Sequence, residues 1–205
     1  TYSMSIYAMD AKGDTIDTQA TGEMEVFAHR REGFAFADGI VPGAYNMDGT
    51  LKQGAKVIYV TAHNANTVTC EIINERGASV TATGLSAILK AREKGYDKTP
   101  LAIRIIGLLR AEDVAGLKSD IYIPLNGANT SDRRIENITI EGIGSDATLS
   151  GIGIHTKRSR ALEIRNLGFM LFADDGVSME SDNSNIWVHN CDFFYGAPGS
   201  DADQV

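Results

Sequence analysis

The chain has 205 residues, of which 43% are hydrophobic and 22% are charged, and this balance predicts a globular protein with a sizeable core. Its formal net charge of −8 argues against nucleic acid as a partner, and a polyanionic ligand would need a cation between itself and this surface. No apolar run is long enough to cross a membrane and no N-terminal signal pattern is present, so we expect a soluble chain, already processed if it is exported.

Residues 1–32 form the first predicted segment. Residues 2–10 alternate as a strand does, and residues 11–14 have the composition of the turn that would close it. The segment is either an N-terminal arm or the end of a preceding β-module of the immunoglobulin type.

Residues 33–125 have a mixed pattern. Residues 33–49 are rich in small residues and Asp, which predicts a loop. A short amphipathic helix is predicted to begin at Leu85 and to end at Gly95, and it would cap the open end of a solenoid. Four strand-like stretches accompany it, at residues 57–60, 66–69, 102–106 and 121–125.

From Arg134 to Phe194 the sequence repeats itself. Short alternating stretches recur at intervals of 24 residues: Ile138-Thr-Ile140, Leu162-Glu-Ile164 and Ile186-Trp-Val188. A second pattern, at residues 151–155, recurs almost in step at residues 176–180. Periods of this length, with Gly, Asn, Asp and Ser between short strands, are typical of parallel solenoids in which each period is one coil.

The strand period of two assigns a direction to each side chain of a coil. Ile138 and Ile140 are predicted to point into the tube, while Thr139 and Glu141 point outward and remain available for chemistry. Equivalent residues of successive coils should stack about 4.8 Å apart.

The asparagines of the repeat and the two cysteines of the chain lead to two further predictions. Asn166 and Asn190 are expected at turns, where asparagine tolerates left-handed backbone angles and its amide can bond to the neighbouring coil. Cys191 falls in the inward column, so a buried free thiol is favoured over a single Cys70–Cys191 disulfide.

Three phrases give the repeat a family resemblance. Residues 137–151 (NITIEGIGSDATLSG), 162–169 (LEIRNLGF) and 185–193 (NIWVHNCDF) resemble, in order, successive coils of the extracellular pectate lyases of polysaccharide lyase family 1. The resemblance covers about residues 33–203. It implies a right-handed, single-stranded parallel β-helix and a secreted protein.

The chemistry that the resemblance implies is calcium-dependent β-elimination of polygalacturonate, or pectin, to 4,5-unsaturated oligogalacturonides. Calcium would be held by carboxylates, would bridge to the uronate carboxylate and would acidify the C5 proton. Such a site needs roughly six to eight oxygen ligands. An acidic protein could thereby bind an acidic polymer through a shared cation.

Matching the family residue by residue gives a small set of site candidates. Asp175 stands where the family has a calcium-binding aspartate, and Asp174 is its neighbour. Outside this match, Lys157 and Arg158 are the candidate substrate-binding residues, as cations that could hold a polyanion. Where the family has Asp-His after Trp-Val, this chain has His189 and Asn190, and we expect His189 to stabilise a turn.

The resemblance also implies what residues 1–205 lack. The catalytic lysine and arginine of the family and the remaining calcium ligands are expected beyond Val205, so we predict a lyase domain over residues 33–205 that is incomplete at its C-terminus. On this expectation the chain alone does not turn over pectate.

Two other functions stay open. A polygalacturonase-type hydrolase would use Asp174 and Asp175 as acid and base, but the Asn-Thr-Asp phrase expected about one coil earlier is absent. A non-catalytic β-helical carbohydrate-binding segment would use Lys157, Arg158 and Arg160 to hold polyanions.

Overall fold

The computed structural model describes residues 3–24, 31–128 and 133–202. Two compact units are present, Thr1–Arg30 and Arg31–Val205. No helix among the described residues is long and apolar enough to cross a membrane.

The first unit contains an antiparallel hairpin. Strand β1 (Ser5–Met9) pairs with β2 (Thr15–Ala20), and every residue of both strands is exposed. The Asp10 carboxylate closes the turn by accepting hydrogen bonds from the backbone amides of Lys12 (2.8 Å) and Asp14 (3.0 Å). The predicted strand and turn are therefore both present.

The second unit is a parallel β-helix, as predicted. Its strands, in chain order, are β3 (Lys56–Val60), β4 (Thr69–Ile73), β5 (Ser79–Thr83), β6 (Leu101–Arg110), β7 (Tyr122–Asn126), β8 (Ile135–Ser150), β9 (Gly153–Lys157), β10 (Ser159–Arg165), β11 (Gly168–Phe172), β12 (Val177–Met179), β13 (Ser184–His189) and β14 (Asp192–Gly196). Short 3₁₀ helices lie at Phe34–Gly39 and Ala111–Asp113.

Three parallel ladders form the walls of the helix. The first ladder runs β3-β6-β8-β10-β13, and the second joins the far halves of β6 and β8 to β11 and β14. The third ladder is β7-β9-β12. A separate antiparallel hairpin, β4-β5, precedes helix α1 (Leu85–Arg92).

Of the predicted strand at residues 66–69, only the last residue, Thr69, belongs to a strand. The Asn64 side chain accepts from the Thr61 amide (2.7 Å), and the Asn64 carbonyl accepts from the Val68 amide (2.8 Å). These bonds fold residues 61–68 into turns, so β4 starts only at Thr69.

Helix α1 begins at Leu85 as predicted and ends at Arg92, three residues before Gly95. Its buried face packs into the main core through Leu85, Ile88 and Leu89. Arg92 is also buried; it pairs with Asp97 at 3.0 Å and donates to the Glu136 carbonyl at 2.9 Å. The helix is thus tied to the first ladder.

The 24-residue period is confirmed by the register of the first ladder. Leu162 pairs with both Ile138 and Ile186, and Glu163 pairs with both Thr139 and Trp187. The inward residues Ile138, Ile140, Leu162 and Ile164 are all 0% exposed, so this column is core.

The second pattern has a different register from the one the sequence suggested. Ile154 pairs with Val177 and His155 with Ser178, a spacing of 23 residues where the motif alignment implied 25. Gly151, at φ 71°, belongs to the turn that leaves β8, and the new strand starts only at Gly153. The alignment by glycines was therefore wrong by two residues.

The expectation that Thr139 and Glu141 are open to solvent is also wrong. They are 0% and 4% exposed because the segment from Arg31 to Tyr45 lies over the outward face of the first ladder. Gly43 makes the approach close: a Cβ there would lie 2.1 Å from the Thr139 hydroxyl. Only a residue without a side chain fits this crossing at φ 73°.

Both cysteines are free, so the disulfide alternative is excluded. Cys191 is half-buried, and burial raises the pKa of its thiol and of the Cys70 thiol. Cys191 is thus a free thiol, as predicted, but it packs against the core while only half-buried.

The turn asparagines behave as predicted. Asn166 and Asn190 both have φ 52°. The Asn166 amide donates to the carbonyls of Gly142 (2.7 Å) and Gly144 (3.0 Å), one coil away. Both turns therefore contain a residue that tolerates left-handed angles, and the Asn166 side chain also links two coils.

Asn166→Ala is expected to lower the free energy of unfolding by about 2 kcal/mol. An alanine pays roughly 1 kcal/mol for the left-handed backbone, and about 1 kcal/mol is lost with the amide hydrogen bonds. Urea denaturation followed by circular dichroism measures the change. Asn166→Gly is the control, because it loses only the hydrogen bonds and should be less destabilised; equal losses would contradict the backbone contribution.

Candidate functional site

The third ladder carries the predicted site residues on its outward face. Alternation along β7 and β9 turns Ile123, Leu125 and Ile154 into the core, where they are at most 1% exposed. The residues between them point the other way, and the adjacent coils bring these polar and aromatic side chains together: Tyr122, Asn126, His155, Lys157, Ser178 and Glu180.

Asp174 and Asp175 lie where the chain enters β12, at the first residues of this ladder. The Tyr122 hydroxyl donates to the Asp174 carboxylate at 2.7 Å and accepts from the backbone amide of Asp175 at 3.0 Å. Asp174 is exposed and Asp175 is half-buried. Burial, together with the nearby aspartates, raises the pKa of Tyr122, so the hydroxyl keeps its proton and holds the turn.

The donor chemistry of this turn fits calcium, but the number of donors falls short. Carboxylate oxygens are the ligands that calcium prefers, and it takes roughly six to eight of them. Within residues 3–24, 31–128 and 133–202, no three His, Cys, Asp or Glu side chains are gathered closely enough to hold a metal ion. Asp174 and Asp175 could therefore supply only part of a calcium site.

Lys157 and Arg158 lie at the other end of the same strands. Lys157 is the last residue of β9, and its ammonium donates to the Glu180 carboxylate. That hydrogen bond, with a second one from His155, lowers the pKa of Glu180 to about 2. Arg158, at φ 50°, donates from Nε to the Gly127 carbonyl at 3.1 Å and lies in the turn after β9.

The structure therefore places the predicted metal and substrate residues on one sheet without bringing them together. Tyr122, which contacts Asp174, pairs with Gly153 at the start of β9, and Lys157 is four residues further on. At about 3.3 Å per residue the two groups are about 13 Å apart along the strand. A polymer lying along the strand direction could contact both.

His155 was missed by the sequence argument, which asked only for metal-ligand spacing. Its ring is 3% exposed, and Nε2 lies 2.7 Å from the Lys118 ammonium and 2.7 Å from the Glu180 carboxylate. The available signal was its position: two residues before Lys157 in an alternating strand, it must share the outward face.

A second polar cluster fills the outward face of the first ladder under the Arg31–Tyr45 segment. Glu163, fully buried, accepts from Arg31 (2.9 Å) and from the Thr139 hydroxyl (2.9 Å) and contacts His189 Nε2 (3.2 Å). Glu141 accepts from the Tyr45 hydroxyl, from Arg104 and from Arg165. The cluster consists of paired groups beneath a covering segment, which is the arrangement of a structural network.

His189 belongs to this cluster. Its ring stacks on Trp187, with centroids 3.6 Å apart, and Nδ1 lies 2.7 Å from the Asn190 side-chain oxygen. Asn190 is the turn residue, so these contacts agree with the turn-stabilising role expected for this histidine.

Comparison with known proteins finds similarity to pectate lyases in sequence and in structure. Over 124 residues the chain is 27% identical to a pectate trisaccharide-lyase of Bacillus licheniformis. The matched region covers 59% of this chain and 33% of the relative. The crystal structure of a pectate lyase from Bacillus sp. N165 in complex with trigalacturonate superposes with a TM-score of 0.54 at 18% identity, covering 77% of this chain and 40% of that one. No family model matches the sequence.

These matches confirm the resemblance to pectate lyases and the β-helical fold. The sequence match supports a pectate lyase-like chain, and the structural match shows the same architecture. The chain spans about a third of the length of the curated relative that it matches.

Proposed function

We propose that this chain acts in a pectate lyase, which cleaves α-1,4-linked polygalacturonate by calcium-dependent β-elimination and releases 4,5-unsaturated oligogalacturonides. The match to a pectate trisaccharide-lyase carries the proposal. The polar outward face of the third ladder supports it, because that face presents carboxylates at one end and cations at the other.

The acidic turn is the proposed calcium end of this face. Asp175 and Asp174 would hold the ion, and calcium, when bound, joins protein and uronate carboxylates and makes the C5 proton more acidic. Tyr122 fixes the turn by bonding to the side chain of one aspartate and to the backbone of the other. The further oxygen ligands and the catalytic base are proposed to lie outside residues 1–205.

The basic end is the proposed substrate-binding part. Lys157 and Arg158 would pair with uronate carboxylates of the polymer. With a net charge of −8, the chain would bind a polyanion only where such local cations or a metal offset the repulsion. The proposal includes an extracellular location, on the basis of the resemblance to extracellular pectate lyases.

The test is the ultraviolet absorbance of polygalacturonate incubated with the full-length lyase that would contain residues 1–205, first with calcium and then with a chelator. Absorbance of the conjugated unsaturated uronate that appears with calcium and vanishes on chelation supports the lyase. New reducing ends without that absorbance would establish a hydrolase that uses Asp174 and Asp175. Polymer binding without any cleavage would leave a carbohydrate-binding module.

A further inference from the structure

The buried imidazole of His155 is contacted at both of its ring nitrogens. Nδ1 lies 2.7 Å from the Asn126 side-chain oxygen, which is an acceptor, so Nδ1 carries a proton. In the neutral ring Nε2 is then an acceptor, and the group 2.7 Å away that can donate to it is the Lys118 ammonium. Asn126 and Lys118 therefore hold the ring from both sides.

Glu180 and Lys157 complete the surroundings of this ring. Glu180 Oε1 also lies 2.7 Å from Nε2, so Lys118 and Glu180 meet at the same ring nitrogen. The Lys157 ammonium donates to the other Glu180 oxygen. The remaining side chains that contact or act on this group are the Tyr122 ring, 5.5 Å from the His155 ring between centroids, and Glu93, whose charge acts on Lys118.

Lys118 is placed to do more than contact His155. It precedes β7, where its backbone amide bonds to the Tyr122 carbonyl at 2.8 Å, so the position of its backbone is fixed. An ammonium has three N–H donors, and His155 takes one of them, which leaves up to two for a ligand. Burial and, less strongly, the charge of Lys157 lower the pKa of Lys118, while the charges of Glu180 and Glu93 oppose this, so a carboxylate bound to Lys118 would further favour the ammonium form.

We propose that Lys118, positioned by His155 and next to Lys157, binds the carboxylate of one uronate residue of the polymer. This inference rests on the proposed function, because it takes polygalacturonate as the ligand. His155, which contacts Lys118, is two residues beyond Gly153, so the site begins about 7 Å along the strands from the acidic turn and extends to Lys157. Lys118 is a substrate-binding residue and His155 is a positioning residue.

The direct test is binding of trigalacturonate, measured by isothermal titration calorimetry in the presence of a chelator. Lys118→Met is expected to weaken binding about fivefold to tenfold, the effect of one partly exposed charge pair. Lys94→Met removes an equal charge at an exposed position away from this ladder and should bind as the wild type does. Methyl-esterified trigalacturonate has no carboxylate charge, so wild type and Lys118→Met should bind it equally.

The positioning role is tested by two His155 variants. His155→Gln keeps an acceptor for Lys118 and should stay within about twofold of wild-type affinity, while His155→Leu has no acceptor and should lose as much as Lys118→Met. Thermal unfolding checks that both variants are folded. In the lyase reaction, Lys118→Met should raise KM and leave kcat unchanged, because it removes binding made equally to substrate and transition state.

The subsite is contradicted if the wild type does not bind trigalacturonate, or if Lys118→Met binds it as tightly as the wild type does. It is also contradicted if Lys118→Met lowers the affinity for the methyl ester by the same factor as the affinity for trigalacturonate. If unsaturated product forms and Lys118→Met has no effect, the subsite is wrong and the lyase proposal stands. If binding depends on Lys118 but no unsaturated product forms, the subsite stands and the lyase proposal is wrong.

Discussion

Glu163→Ala is expected to lower the free energy of unfolding by about 3–5 kcal/mol, the cost of breaking a buried ion pair by removing one partner. Glu163 and Arg31 have side chains that are 0% and 1% exposed, and their 2.9 Å contact links residues 132 positions apart in the chain. Removing the carboxylate leaves the guanidinium buried without its counter-charge, and it also removes an acceptor from Thr139.

The expected structural consequence is loosening of the Arg31–Tyr45 segment over the first ladder. The only tryptophan, Trp187, reports this, because the Arg31 guanidinium lies 5.2 Å from its ring and Phe36 packs edge-on at 5.2 Å. Denaturant titration followed by Trp187 fluorescence gives both the stability and the environment of the segment. Glu75→Gln, at an exposed position, is the control and should leave both unchanged.

The same carboxylate makes stability depend on pH. Burial by itself would raise the pKa of Glu163, but the hydrogen bond from His189 and the charges of Arg165 and Arg31 hold it below the ordinary value. A depressed folded-state pKa means that the stabilisation is complete above the unfolded-state pKa, about 4.3, and is lost as the pH falls from there through the folded-state pKa.

Glu163→Gln removes this titration while keeping an acceptor for Thr139. Its stability should therefore fall less steeply than that of the wild type as the pH is lowered below about 4.3. If the stability of Glu163→Gln falls with acid pH as steeply as that of the wild type, the Glu163–Arg31 contact does not hold the Arg31–Tyr45 segment. A Glu163→Ala variant as stable as the wild type would show the same.

The core of the β-helix was open to prediction from sequence because one periodicity determines it. Inward residues such as Ile138 and Leu162 alternate strictly and recur every 24 residues, and burial of that column fixes the register of the coils. The register of the second pattern was predicted wrongly because its glycines were aligned. The pairing is instead set by Ile154 and Val177, the residues that stack in the core.

The outward faces could not be predicted in the same way. Glu141, Glu163 and Arg165 have the composition of a solvated surface, and their burial depends on Arg31 and Tyr45, which are more than 90 residues away in the chain. The local sequence pattern of a strand does not show that a distant segment of the chain packs over it. On the third ladder, the contact between Lys157 and Glu180 depends on the register that was misjudged.

In the full-length lyase, Asp175→Asn is expected to reduce the calcium-dependent rate of unsaturated product formation by about 100-fold or more, because we propose that its carboxylate holds the metal. Loss of a residue that only supports a ligand typically costs roughly 10- to 100-fold, so loss of a ligand should cost at least the upper figure. Tyr122→Phe tests the supporting contacts: it removes the bond to Asp174 and the one from the Asp175 amide, and about a tenfold loss is expected.

The readout that distinguishes a metal ligand from a merely structural aspartate is the calcium concentration giving half-maximal rate. It should rise in Asp175→Asn and, less steeply, in Tyr122→Phe, because each weakens the hold on the ion. Asp182→Asn is the matched control: it removes a carboxylate from the next turn, at φ 64°, where asparagine is tolerated, so the calcium dependence should not change. A full calcium-dependent rate in Asp175→Asn, or an equal loss in Asp182→Asn, would place the metal elsewhere in the protein.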